Sequence, residues 1–251
     1  MKKNIIILLT ACINPNGMCY TVLQDSKVRQ KQYEEALLWY LNNTDFKIVF
    51  VENTDVNFSG KFVDYINNGR LEYINFYGND YPKNMGKGYG EANIINESFI
   101  RSKWLKNADY VIKITGRLIV LNINVLTRDL YNEKNKNNKV YCMCGINSES
   151  TCPSYFFISP PLFLLNYFLK YKDCINDEKS VSFEHILYKS IVDWLNSKNL
   201  YYEFYYPISI KGMCGGNGIE YKQPGFKQYL KSFLRGLYIN VVKQNKYIFN
   251  M

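Results

Sequence analysis

Lys83-Asn84-Met85-Gly86-Lys87-Gly88-Tyr89-Gly90-Glu91 is followed by a helix-like run and then by Ala108-Asp109-Tyr110-Val111-Ile112-Lys113-Ile114-Thr115-Gly116-Arg117. Glycines spaced around a lysine let backbone N–H groups come close to an anion. The helix expected over Glu91–Lys106 would aim the positive end of its dipole at the same anion. The aliphatic stretch Tyr110–Ile114 reads as a buried strand that runs into a second polar turn containing glycine. A glycine-rich loop, a helix and a strand ending in Thr-Gly-Arg together point to a site for a phosphorylated ligand.

Reading towards the N-terminus extends the alternation. Asn4–Thr10 reads as a strand, and Cys12–Asp25 as a loop carrying the turn signal Asn14-Pro15-Asn16-Gly17. Ser26–Asn43 has helical spacing of Tyr33, Leu37, Tyr40 and Leu41. Lys47–Val51 is a second strand running into Glu52-Asn53, Phe62–Asn68 a short helix, and Leu71–Phe76 a third strand. Strands that alternate with helices predict an α/β fold with a mostly parallel sheet flanked by helices. Ligands of such sheets bind beyond the carboxyl ends of the strands. Thr10, Glu52, Asn53, Thr115, Gly116 and Arg117 all stand at such ends, which places one site there.

Towards the C-terminus the pattern changes. Asn132–Lys139 is polar; Val140–Cys144 and Tyr155–Ile158 read as strands. Pro160-Pro161 opens a helix to about Lys170. Val181–Leu195 reads as an amphipathic helix, and Tyr201–Ile210 as a last strand before the glycine-dense loop Gly212–Gly218. Beyond Pro224, residues 226–249 repeat apolar side chains at helical spacing with basic residues between them. The expected organisation is a catalytic domain over 1–221, with a ligand-binding half to about 120 and a second half over 121–221, followed by a basic amphipathic tail over 222–251. No internal repeat or low-complexity segment is present.

The chain has 251 residues, 47% hydrophobic, and a formal net charge of +9. That hydrophobic share builds a core and excludes intrinsic disorder, and the charge favours anionic partners. No acidic residue follows Glu220, whereas Lys222, Lys227, Lys231, Arg235, Lys243 and Lys246 do. The cysteines number seven and no Cys-x-x-Cys pair occurs, so reduced thiols are the preferred reading and zinc is not expected. Met1-Lys2-Lys3 followed by Ile5–Ala11 and Cys12 looks like a short signal peptide with a lipoprotein cleavage box. The brevity of the run and the early cysteine favour a buried strand instead.

At these residues the chain resembles bacterial glycosyltransferases of capsule and O-antigen loci, which have a GT-A-like, Rossmann-type fold. The resemblance rests on Gly86-Lys87-Gly88-Tyr89-Gly90-Glu91, on Lys113-Ile114-Thr115-Gly116-Arg117, on Glu184-His185 and on Gly212–Gly218, and covers most of residues 4–221. It implies transfer of a hexose or N-acetylhexosamine from a nucleotide-diphosphate sugar to a hydroxyl of a surface glycan. A UDP-sugar is the first choice of donor, and a glycan or lipid-linked glycan the acceptor. Donor binding would fall to Thr10, Glu52, Asn53, Gly86, Lys87, Gly88, Lys113, Thr115 and Gly116. Acceptor binding would fall to His185, Gly215, Gly216 and Asn217. The family commonly holds a divalent cation with Asp-x-Asp, and no such motif exists here. No cofactor is therefore expected to be required, although a divalent cation remains allowed, and Lys87 and Arg117 would neutralise the leaving diphosphate.

Each of these readings has a plainer counterpart. The glycine run is an ordinary turn before a helix unless Lys87 and Glu91 make it a cradle. Arg117 clamps a phosphate or pairs with a carboxylate such as Glu91 or Asp109. Glu184 is the expected catalytic base of an inverting transfer, with Glu91 as its rival, or else a surface residue in a first helical turn. His185, the sole histidine, suits a structural role. The tail either meets an anionic membrane, on the inner face of the cytoplasmic membrane for a cytoplasmic enzyme, or docks on the core. Two other functions fit the composition: a sugar-1-phosphate nucleotidyltransferase, and a non-catalytic basic protein that binds nucleic acid. Residues 10–17 have neither the glycine density nor the arginine expected for a triphosphate. No nucleic-acid-binding module is present.

Overall fold

The computed structural model describes residues 3–132, 138–144 and 150–242. The expected polar loop after Asn132, and the tail beyond residue 242, fall wholly or partly outside them. In chain order the strands are β1 (Ile5–Ala11), β2 (Lys47–Glu52), β3 (Leu71–Asn75), β4 (Tyr110–Thr115), β5 (Ile119–Val120), β6 (Lys139–Cys142), β7 (Phe156–Ser159), β8 (Leu200–Glu203) and β9 (Ile210–Lys211). The helices are α1 (Ser26–Asn43), α2 (Val63–Asn67), α3 (Gly86–Arg101), α4 (Ile123–Leu126), α5 (Arg128–Asn132), α6 (Pro161–Phe163), α7 (Phe183–Asn196) and α8 (Phe226–Leu237).

A seven-stranded sheet runs in the order β3-β2-β1-β4-β7-β6-β8. Strands β3, β2, β1 and β4 are parallel to one another, β6 and β8 pair in parallel, and β7 is antiparallel to β4 and β6. β1 lies inside the sheet, between β2 and β4, and is buried along its whole length. Ile5, Ile7, Leu9 and Ala11 face the layer containing α1, and Ile6 and Leu8 face α3 and α7. Burial on both faces accounts for the continuous aliphatic run. The stretch that resembles a signal peptide is thus an interior strand of the sheet.

Several boundaries differ from expectation. The glycine run Gly86–Gly90 is not a loop, because α3 begins at Gly86 rather than at Glu91. Each glycine instead makes room for a neighbour. A Cβ on Gly86 would come 1.8 Å from Asp177, one on Gly88 3.2 Å from Phe183, and one on Gly90 2.0 Å from the Tyr81 hydroxyl. The last strand also breaks: β8 stops at Glu203, and β9 pairs with β5 in a separate two-stranded sheet. Pro207, between them, donates no ladder hydrogen bond. The helix expected after Pro161 becomes a short α-turn followed by a π-turn and a 3-10 turn. Cys144 and Cys152 form a disulfide, contrary to the expectation of reduced thiols, and the sulfurs of Cys142, Cys144 and Cys152 lie within 4.8 Å of one another. Among the described residues no helix is long and apolar enough to cross a membrane.

Candidate active site

The ends of β1, β2 and β4 open into a cavity of about 240 Å³. Its floor is a polar knot in the face that otherwise packs on α3. Alternation along β1 and β4 turns Thr10, Lys113 and Thr115 towards α3, where Glu91 meets them. One carboxylate oxygen of Glu91, Oε1, accepts from Thr10 Oγ1 at 2.7 Å, Lys113 Nζ at 2.7 Å and Thr115 Oγ1 at 3.0 Å. Lys113 is fully buried and also donates to the Ser154 carbonyl at 2.6 Å. Burial would raise the Glu91 pKa, but the Lys113 charge and the three hydrogen bonds outweigh it and hold the carboxyl below its usual range.

Two cations stand on one side of the cavity. Arg117 leaves the end of β4 and donates Nη1–H to the Met213 carbonyl at 2.6 Å. Lys87, in the first turn of α3, donates to the Tyr20 carbonyl at 3.3 Å. No ion pair joins either to a carboxylate among the described residues. The Gly212–Gly218 loop presses on both. A Cβ on Gly215 would come 2.5 Å from Arg117 Nη2, and one on Gly216 3.1 Å from Lys87 Nζ. The loop also meets the segment after β1, where Val22 N–H donates to the Gly215 carbonyl at 3.4 Å. Arg29, another lining residue, is taken up by backbone: Nε and Nη2 donate to the Cys12 carbonyl at 2.8 and 2.6 Å.

Two carboxylates line the same cavity, Asp177 and Glu184. Glu184 sits in the first turn of α7 and accepts from Ser154 Oγ at 2.5 Å. Asp177 packs its carboxylate against Gly86 at the start of α3. Burial is the main influence on Asp177 and raises its pKa. The Lys87 charge opposes that rise, the Glu184 charge adds to it, and the result lies above the usual carboxylate range. At the end of β2, Asn53 is buried and its Oδ1 has no hydrogen-bond partner. Asn53 also lines the cavity, and a buried acceptor without a partner calls for an explanation such as a ligand or water donor.

Of the residues singled out in the sequence, Thr10, Asn53, Lys87, Gly88, Glu91, Thr115, Arg117, Glu184 and Gly215 line the cavity. The others do not, for separate reasons. Glu52 is fully buried, and its carboxylate accepts from the backbone N–H groups of Ile13, Thr54 and Val56 and from the Thr54 hydroxyl. It organises the loop after β2. Burial pushes its carboxyl up against the pull of those donors. Lys113 lies beneath the floor, held by Glu91. Gly86 receives Asp177, and Gly116 packs on the Thr10 carbonyl, 2.8 Å from where a Cβ would stand. His185 faces away from an acceptor role: Nδ1 accepts the Ser182 N–H at 3.3 Å and lies 3.0 Å from Ser182 Oγ, which closes the start of α7. Asn217 uses Oδ1 to accept the Ile219 N–H at 3.0 Å within its own turn. Gly216 touches the site only through Lys87.

Sequence reasoning missed Asp177 and Ser154. Asp177 lies in a 3-10 turn whose only sequence signal is the acidic pair Asp177-Glu178 just ahead of α7. Ser154 carries no signal, because its place is set by β7 beginning two residues later. The position that carries Asp-x-Asp in the resembled family holds Thr115-Gly116-Arg117, and Glu91 is committed to Lys113.

No family model matches this sequence, and no curated protein sequence matches it either. Solved structures with a similar chain path include a mannosyltransferase from Pyrobaculum calidifontis in complex with GDP-mannose and Mn2+. It is 8% identical at TM-score 0.41, over 65% of this chain and 46% of that one. A galactosyltransferase, LgtC, in complex with donor and acceptor sugar analogues is 8% identical at TM-score 0.44, over 80% and 74%. An inositol-1-phosphate CTP transferase from T. maritima is 12% identical at TM-score 0.45, over 94% and 97%. The chain spans about half the length of the mannosyltransferase.

Proposed function

We propose that this chain is a glycosyltransferase that moves a hexose or N-acetylhexosamine from a nucleotide-diphosphate sugar to a hydroxyl. The observation that carries this reading is the charge polarity of one cavity. Lys87 and Arg117, neither of them in an ion pair among the described residues, stand against the Gly215–Gly216 turn, and Asp177 and Glu184 line the same space. A diphosphate fits the cations, and the orphaned Asn53 acceptor suits an N–H or O–H of the nucleoside. A sugar hydroxyl fits the carboxylates.

In the inverting form, the acceptor oxygen forms a bond to the anomeric carbon as the bond from that carbon to the diphosphate oxygen breaks. The electron pair leaves with the diphosphate, where Lys87 and Arg117 stabilise it. The acceptor's proton passes to Glu184, oriented by Ser154. The floor knot keeps Thr10 and Thr115 fixed beneath the sugar. No step is routed through a metal ion. We take the donor to be a UDP-sugar and the acceptor a lipid-linked surface glycan on the cytoplasmic side of the membrane.

Thermal-shift measurement with nucleoside diphosphates and nucleotide sugars tests this. A ligand at a hundred times its Kd adds about 2.7 kcal/mol of stability, so a donor raises the melting temperature by several degrees. Arg117→Ala is expected to abolish that shift while the unliganded protein melts cooperatively. No shift with any diphosphate, or an undiminished shift in the variant, overturns the reading. A nucleotidyltransferase would respond to a nucleoside triphosphate and release pyrophosphate instead.

A further inference from the structure

Helix α8 is mounted with its apolar side outwards. At 3.6 residues per turn, Phe226, Leu230, Phe233, Leu234 and Leu237 share one face. A surface helix normally buries such a face, yet here Phe226 is 83% exposed, Leu234 55% and Leu230 50%. The contact is made mainly by the opposite, small and polar side, joined at the border by Phe233, whose ring lies 6.0 Å from that of Tyr205. Gly236 packs so closely on Tyr205 that a Cβ would come 2.7 Å from its ring, and Ser232 is buried. Arg235 Nη2 lies 2.6 Å from Glu203 Oε1, and that carboxylate is fully buried. Asn240, one turn on, accepts the Glu203 N–H at 3.0 Å and donates to the Glu203 carbonyl at 2.8 Å. β8 is the last strand of the sheet, so Asn240 takes up backbone groups of an edge strand. Rotating α8 to bury its leucines would break the Arg235–Glu203 pair and strip that edge.

We propose that this outward face docks on an anionic lipid bilayer. Lys222, Lys227 and Lys231 are exposed beside the apolar residues, where their stems can lie along the interface and their ammonium groups reach the headgroups. No acidic residue follows Glu220 in the sequence. A second copy related by a twofold axis is the poorer occupant. It would set Lys227 and Lys231 against the same lysines, with no carboxylate on either α8 to answer them. The docking rests on the transferase reading for its purpose, presenting the cavity to a lipid-linked acceptor, but not for its existence.

The test is flotation of the full chain with vesicles of phosphatidylcholine alone and of phosphatidylcholine mixed with phosphatidylglycerol. The protein is expected to float with the mixed vesicles and to be released as salt rises. The double variant Leu230→Asp/Leu234→Asp is expected to lower the bound fraction at least about tenfold, with an unchanged melting temperature because both side chains are half-exposed. Lys227→Ala/Lys231→Ala should weaken binding to mixed vesicles and leave the background on neutral ones unaltered. Absence of binding to mixed vesicles, or equal binding by the aspartate variant, overturns the proposal. So does a stable dimer that the aspartate variant dissociates. Nucleoside-diphosphate thermal shifts on the same samples keep the two readings apart, since donor binding and flotation can fail independently.

Discussion

At the scale of single residues, the buried pair Lys113–Glu91 and the lining pair Asp177–Glu184 have opposite uses. Lys113 is fully buried with its ammonium 2.7 Å from Glu91, and removing one member of such a pair leaves the other charge uncompensated. Lys113→Met is expected to lower unfolding free energy by about 3–5 kcal/mol, read as a lower urea midpoint. The Glu91 carboxyl binds its proton less readily in the folded chain than in the unfolded one. It therefore adds stability above the unfolded value of about 4.3, and that contribution is lost as pH falls through the lower folded value. Glu91→Gln should flatten that acid limb of the stability curve, and an unchanged limb would show that other carboxylates set it. On the proposed reading, Asp177 and Glu184 act in turnover instead. Glu184→Gln is expected to reduce kcat about 10²–10⁴-fold with donor binding intact. If Asp177→Asn produces that loss and Glu184→Gln does not, the base is Asp177.

At the scale of elements, α3 explains why the glycines read from the sequence as a loop belong to a helix. Gly86 has φ +82° and receives Asp177, while Gly88 and Gly90 let α3 approach Phe183 and Tyr81. Alanine in a helix interior normally stabilises by up to about 1 kcal/mol over glycine. Gly86→Ala is expected to do the reverse, destabilising by about 1–3 kcal/mol through strained backbone and displacement of Asp177. A higher melting temperature for this variant would show that the close approach is not needed. α7 makes the same point about a residue that is conspicuous in the sequence. His185 closes the helix start on Ser182, and its neighbour Glu184 takes the cavity. Adjacent residues on a helix point about 100° apart, so a motif two residues long rarely serves one site.

For the whole molecule, two loops far apart in sequence, after β1 and around Gly215, meet above a cavity floored by the sheet ends. Lys87 and Arg117 line that cavity and the sequence holds no Asp-x-Asp, so on the proposed reading transfer is expected to persist in excess EDTA. Activity lost with EDTA and restored by Mn2+ would reveal a metal requirement. The tail is tied to the sheet edge by Arg235 and Asn240, so deleting it after Tyr221 would remove the Arg235 partner of the Glu203 carboxylate and the Asn240 cover of its backbone. Point variants on the outer face of α8 are the cleaner probe. The sequence by itself determined the layered α/β architecture, the buried first strand and the gathering of Thr10, Asn53, Thr115 and Arg117 at strand ends. Hydrophobic periodicity and strand direction are local properties, and together they state where strands finish. Only the tertiary structure decided that the glycines are packing positions, that Lys113 is spent on Glu91, that Asp177 joins the cavity, and which side of α8 faces outwards. Each of those depends on a partner many residues away, and side-chain pairing across such distances leaves no periodic trace in the chain.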